Sequence, residues 1–172
     1  MKKTLIVVDM QKDFIDGPLG TPEAVAIVPA VIRKIKEYRD AGDDVIFTQD
    51  THTSDYLNTM EGKNLPVVHC VMGTEGWKIP DEINQIDCLH IDKPNFGYLD
   101  WDMIEEDFCD LDEVELIGLC TDICVVSNAL ILKAMFPESV ISVDPKCCAG
   151  VTPETHDAAI ATMRMCQIQI KE

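Results

Sequence analysis

Short apolar runs alternate with amphipathic stretches along most of the chain. Leu5 to Val8 is continuously apolar and closes on Asp9, the pattern of a strand buried on both faces of a parallel sheet. Val45 to Gln49, Cys88 to Ile91, Val114 to Leu119, Val140 to Val143 and Cys166 to Ile170 repeat the pattern, which predicts six strands. Between them, Glu23 to about Ala41 turns helical, with Ile27, Val31, Ile35 and Tyr38 near one face. Pro29 predicts a short turn before the main part of that helix, and Gly42 ends it. A short helix is predicted over Pro80 to Ile86, and another from an Asp100 cap through about Phe108. Ile123 to Ala134 reads as the helix after the fourth strand, and Thr152-Pro153-Glu154 starts a last helix to about Met163. Alternating strands and helices imply one α/β domain over residues 1–172 with a mostly parallel central sheet.

One segment breaks the alternation. Asp50 to Gly76 is polar, weakly periodic and holds two of the four histidines. A long irregular stretch inside a compact domain is often functional.

Composition narrows the classes. The 172 residues carry 31 acidic and 14 basic side chains, a net charge of -17. That balance argues against nucleic-acid backbones and anionic membrane surfaces, where basic patches supply the affinity. The apolar fraction of 47% is enough for a core. Eight cysteines are many, yet the apolar run after Met-Lys-Lys-Thr is too short for a signal core, and no stretch reaches membrane-spanning length. Reduced, mostly buried thiols in a cytoplasmic protein are the expectation. Without a Cys-x-x-Cys pair, a structural thiolate cluster is not expected.

Candidate chemistry collects at strand ends. In open α/β sheets, ligands bind beyond the carboxyl ends of the strands. Asp9, Asp50, Lys93 and the Cys120 to Cys124 turn all fall there. Cys124, at a helix start, is the leading nucleophile, since the dipole and unpaired amides stabilise a thiolate and can hold an oxyanion. The bland reading is a small buried hydrophobe. Cys120 lies closer to the strand and fits a turn-forming role. Asp9 reads either as a loop-capping carboxylate or as a general base. Lys93 reads either as a solvent-facing lysine or as a cation that lowers neighbouring pKa values. Asp50 and His52 lie on one side of an extended segment, with Glu61 and His69 downstream. These donors suit zinc, iron or manganese, although a hydrogen-bonded loop would use the same residues. His90 and His156 are read as structural.

The motifs together resemble the isochorismatase-like cysteine hydrolases, on their nicotinamidase-like side. Val7-Val8-Asp9-Met10-Gln11-Lys12-Asp13-Phe14 is similar to the family's opening motif. Thr48-Gln49-Asp50-Thr51-His52 and His69-Cys70-Val71-Met72-Gly73-Thr74-Glu75-Gly76 resemble its metal segments. Lys93 falls at the catalytic lysine, and Thr121-Asp122-Ile123-Cys124-Val125 matches the nucleophile motif. The resemblance covers essentially the whole chain.

It implies a three-layer sandwich around a six-stranded sheet. It implies that Asp9 deprotonates Cys124, that Lys93 supports the pair, and that the backbone amides of Cys120 and Cys124 hold the oxyanion. It makes Leu119–Cys120 the candidate for a cis peptide. It implies one divalent transition metal on Asp50, His52, Glu61 and His69. Many members carry a histidine where this chain has Asp55-Tyr56-Leu57, and Glu61 takes that place among the ligands. Phe14 resembles the aromatic that packs on the substrate ring, and Tyr56, Phe96 and Tyr98 are further pocket candidates. The implied partners are a small amide substrate and, as in relatives, further copies of the same chain.

The leading expectation is hydrolysis of nicotinamide to nicotinate and ammonia. Another small amide or carbamoyl compound is the near alternative. Vinyl-ether hydrolysis of isochorismate is more distant, because that branch generally lacks the metal motif. A non-catalytic scaffold or a redox thiol protein with Cys70 or Cys120 as resolving thiol stands farther off.

Overall fold

β1 (Thr4–Val8) is buried along its whole length, which is why its sequence is apolar without alternation. The computed structural model describes residues 3–84, 87–105 and 111–172. β1 is flanked by β2 (Asp44–Asp50) and β4 (Glu113–Leu119), and the described sheet runs β3-β2-β1-β4-β5-β6 with all pairs parallel. The outer strands are β3 (Leu89–Lys93), β5 (Val140–Ala149) and β6 (Gln169–Ile170). Helices flank this sheet. α2 (Pro22–Ala41) packs on β1, β2, β4 and β5, while α5 (Val126–Met135) and α6 (Pro153–Met165) pack on each other and on β5. The short α1 (Lys12–Ile15) precedes α2.

The register decides where the site sits. Asp50 pairs with Lys93, Val8 with Thr48, and Val8 with Gly118. The last residues of β3, β2, β1 and β4 therefore share one rim. Gly118 makes close packing there possible. It lies at φ +115°, and a Cβ on it would stand 2.1 Å from the Val8 carbonyl oxygen.

Several expected elements have different bounds. α2 begins at Pro22, with the Thr21 hydroxyl accepting from Ala24 N at 3.0 Å, so Pro29 lies inside the helix and marks no turn before it. Pro29 is on the exposed side, where water can satisfy the Val25 carbonyl that its missing N–H leaves free. Pro80 starts one turn, closed by Ile83 N and Asn84 N on the Pro80 carbonyl, with no helix through the described part of Pro80 to Ile86. Ile79 and Ile83 anchor that turn in the core; Ile86 lies outside the described residues. The helix after Asp100 is α4 (Asp102–Glu105), and the expected continuation to Phe108 also lies outside them.

β5 runs on to Ala149, beyond its expected end at Val143, because a register shift between Leu116 and Gly118 lets Cys148 and Ala149 pair with β4. At the other end of the chain, α6 extends to Met165 and Gln167 turns left-handed at φ 65°. Only Gln169–Ile170 remain for β6, against the expected strand from Cys166. The Asp50 to Gly76 segment holds a 3-10 turn at Tyr56–Asn58, α3 (Met60–Asn64) and a bridge from His52 to Val71.

Replacing Gly118 by alanine is expected to lower stability by at least about 2 kcal/mol, since the new methyl meets backbone and not a movable side chain. Urea denaturation should show a lower midpoint at unchanged slope.

Candidate active site and metal centre

Asp9 follows β1 in a left-handed conformation, φ 47°, one that aspartate tolerates better than most residues. Two contacts to β2 fix it. Its amide donates to the Thr48 carbonyl at 3.2 Å, and the Thr48 hydroxyl donates to Asp9 Oδ1 at 2.7 Å. The other carboxylate oxygen, Oδ2, lies 2.6 Å from Lys93 Nζ. Both side chains are fully buried. Lys93 Nζ also donates to the Asn95 carbonyl at 3.0 Å and toward Cys124 Sγ at 3.5 Å, and stands 3.6 Å from Asp50 Oδ1. The solvent-facing reading of Lys93 is thus excluded.

Cys124 sits in a wide turn over Thr121–Val125 that leads into α5. Val125 N reaches back five residues to the Cys120 carbonyl at 3.1 Å, and Ile123 N shares that acceptor. The Leu119–Cys120 peptide is cis.

Burial and the Asp9 carboxylate push the Cys124 thiol well above its ordinary pKa, with Lys93 pulling the other way. Burial also raises Asp9, against the pull of Lys93 and the Thr48 hydroxyl. Burial alone would lower Lys93, but Asp9, Cys124 and Asp50 outweigh it and keep the ammonium charged. A thiol proton can thus pass to a carboxylate of raised proton affinity beside a fixed cation.

Asp50 ends β2 on the same rim, and the irregular segment brings three more donors to it. His52 Nε2 lies 2.8 Å from Asp50 Oδ2 and 3.5 Å from Glu61 Oε1. His69 Nε2 lies 3.5 Å from Asp50 Oδ2 and 3.8 Å from Glu61 Oε1. The Asp50, His52, Glu61 and His69 donors all fall within 4.8 Å of one another. Zinc ligands stand about 2.0–2.2 Å from the ion, so two donors on one ion lie at most about 4.4 Å apart, a limit that the 3.5 and 3.8 Å separations above meet. His69 Nδ1 donates to the Val67 carbonyl at 2.7 Å, which turns the Nε2 lone pair toward the cluster. His52 Nε2 is buried without a hydrogen-bond partner. The donor set fits a divalent transition ion, and Glu61 points into it.

A cavity of about 210 Å³ opens beside both groups. Cys120 and Cys124 line it, and so do Asp50, Glu61 and His69. Phe14, Leu19, Leu65, Phe96, Ile123 and Val151 form apolar walls. Of the expected pocket aromatics, Phe14 and Phe96 line the cavity, whereas Tyr56 and Tyr98 do not. The Tyr56 ring packs on His52 and His69, at centroid distances of 4.6 and 4.9 Å, and its hydroxyl donates to the Leu65 carbonyl at 2.9 Å. It braces the donor cluster from behind. Tyr98 packs on Trp101 at 5.1 Å and faces a separate outer groove. His90 and His156 make structural contacts, Nδ1 to Gln49 Oε1 at 3.1 Å and Nδ1 to Thr121 Oγ1 at 2.8 Å.

Two supporting residues had no individual role in the sequence reading. Gln11, fully buried, accepts from Asp50 N at 2.7 Å and donates to the Asp50 carbonyl at 2.8 Å. Asp13 Oδ2 accepts from Cys70 N at 2.8 Å, next to His69. Their signal was their place in the opening motif.

The Isochorismatase domain family matches residues 3–171. The chain belongs to that family. It is 28% identical to a nicotinamidase of Schizosaccharomyces pombe, over 96% of this chain and 91% of that one. Its fold is similar to a pyrazinamidase of Pyrococcus horikoshii solved in complex with zinc, at TM-score 0.82 and 25% identity over 100% and 99% of the two chains. It is similar also to an N-carbamoylsarcosine amidase of Thermoplasma acidophilum, at TM-score 0.80 and 29% identity over 100% and 96%. These likenesses place this family member in the nicotinamidase-like branch, among cysteine hydrolases with amidohydrolase chemistry. No helix among the described residues is long and apolar enough to cross a membrane.

Dialysed against zinc, the protein is expected to retain about one equivalent. His69→Ala should weaken binding at least about tenfold, as followed by calorimetry or metal analysis.

Proposed function

We propose that this protein hydrolyses nicotinamide to nicotinate and ammonia through a thioester on Cys124. The observation that carries the reading is one small cavity lined both by Cys124, which belongs to the Asp9–Lys93–Cys124 group, and by Asp50, Glu61 and His69 of the four-donor cluster. A cavity of about 210 Å³ suits a molecule of one ring and lies below the range of drug-sized sites, roughly 300–1,000 Å³.

The Cys124 thiol gives its proton to Asp9 as sulfur attacks the amide carbonyl. Charge on the carbonyl oxygen is taken by the backbone amides of Cys120 and Cys124. When the C–N bond breaks, Asp9 returns the proton to the departing nitrogen, and ammonia leaves. Asp9 then draws a proton from water as its oxygen attacks the thioester. The C–S bond breaks and the sulfur regains a proton. Lys93 stays charged throughout and holds Asp9 and Cys124 in place. A divalent zinc, iron or manganese ion on the four donors would supply a Lewis acid for the pyridine nitrogen. Phe14 and Phe96 flank the ring.

A second reading, a small carbamoyl or other amide substrate at the same thiol, is favoured by the similarity to the N-carbamoylsarcosine amidase. A carbamoyl substrate of that kind has no ring nitrogen to place at the donor cluster.

Ammonia release from nicotinamide by zinc-loaded protein is expected, with at least a 1,000-fold loss, roughly, in Cys124→Ala. Absence of turnover with metal content confirmed would turn the assignment to the second reading. The pH profile gives a separate check. Activity requires ionised Asp9, and burial raises that pKa. The acidic limb of kcat/KM is therefore expected above the ordinary aspartate value of about 3.9. A limb at or below that value would remove Asp9 from the role of base.

A further inference from the structure

Phe96 is a weakly held part of the cavity wall. Its side chain is 42% exposed, so packing alone does not fix it. What fixes its backbone is Asn128, a fully buried side chain on α5, one turn beyond Cys124. Asn128 Nδ2 donates to the Phe96 carbonyl at 3.1 Å and to the Cys124 carbonyl at 2.8 Å. Its Oδ1 accepts from Tyr98 N at 2.9 Å. One amide therefore brackets Gly97 from both sides and ties that loop to the residue bearing the thiol. The fit is close, since a Cβ on Gly97 would stand 2.3 Å from Ile131 Cδ1. Upstream, the same loop is held by Lys93 Nζ on the Asn95 carbonyl. A helix needs no such side chain at this position. Asparagine is a mediocre helix former, and two of its three side-chain bonds here go to the loop.

We propose that Asn128 is a positioning residue that sets the gap between the Phe96 wall and Cys124, and so the affinity for ring-bearing amides. The proposal rests on the reading that the cavity receives such an amide. Losing both loop contacts frees the loop and lets the Phe96 ring leave the cavity mouth. Substrate binding suffers, while the Asp9–Lys93–Cys124 geometry is retained. Asn128→Ser is the informative variant. Its hydroxyl can still bond back to the Cys124 carbonyl within the helix, but it is too short to hold the loop.

The test combines kinetics with hydrogen exchange on zinc-loaded protein. Asn128→Ser is expected to raise KM for nicotinamide about fivefold or more, with kcat within about twofold of wild type. Phe96→Ala should raise KM similarly, and the double variant should be no worse than either single one, because both remove the same wall. Amide exchange over residues 95–99 should accelerate in Asn128→Ser while that of β1 and β4 stays unchanged. Unchanged KM, a loss confined to kcat, additive effects in the double variant, or unchanged loop exchange would each overturn the proposal. Should Asn128→Ser fail to fold, Asn128→Leu keeps nearly the same volume without a charge and removes every side-chain bond to the loop, and the same outcomes decide. If wild-type protein releases no ammonia from nicotinamide, the functional reading fails by itself, and the exchange result still judges the role of Asn128 in holding the loop.

Discussion

A lysine ammonium with no exposure to water is the constraint around which this site is organised. Removing such a charge from solvent costs several kcal/mol, roughly, unless partners replace its hydration. Lys93 finds them in the Asp9 carboxylate at 2.6 Å, the Asn95 carbonyl at 3.0 Å and the Asp50 carboxylate at 3.6 Å. Each partner comes from a different part of the chain. The ion pair holds only if β1, β2 and β3 keep their register, and the register holds only if their apolar faces are buried. Site geometry and core packing thus depend on each other.

Asp50 joins the two halves of the site. One carboxylate oxygen faces Lys93, and the other faces His52 and His69. A change at the donor cluster would therefore be felt at the nucleophile through one rigid side chain, itself clamped at both backbone groups by Gln11. The apolar walls of the cavity exclude water and strengthen the electrostatic contacts inside.

The strands were legible because parallel strands buried on both faces leave continuous apolar runs. The charged residues that end them were legible because the carboxyl rim is the ligand edge of such sheets. Boundaries failed where local signals conflict with tertiary contacts. Pro29 looked like a break, yet its lost hydrogen bond lies on the wet side of α2. The apolar run of the fifth strand stops at Val143, yet a register shift lets β5 continue to Ala149. A buried network was also invisible. Lys34 bridges Glu115 and Asp144 at 2.8 and 2.9 Å, and the Tyr38 hydroxyl donates to Glu115 at 2.9 Å. Each of these residues reads alone as an ordinary surface charge or helix residue.

The amino-acid sequence by itself determined the alternating α/β plan, the strand-end placement of Asp9, Asp50, Lys93 and Cys124, and the pool of metal donors. Those features are local, because periodicity, turn residues and motif order are written into neighbouring positions. Tertiary structure alone decided that Lys93 is buried against Asp9, that Glu61 converges with His52 and His69, that Tyr56 and Tyr98 stand outside the cavity, and that Asn128 ties the Phe96 loop to the nucleophile turn. Lys93 and Asp9 are 84 positions apart and Asn128 and Phe96 are 32 apart, and even within its own segment Glu61 meets His52 and His69 only through the irregular fold of that segment. Such distances are set by the register of the sheet and the packing of helices on it, which no stretch of neighbouring residues encodes.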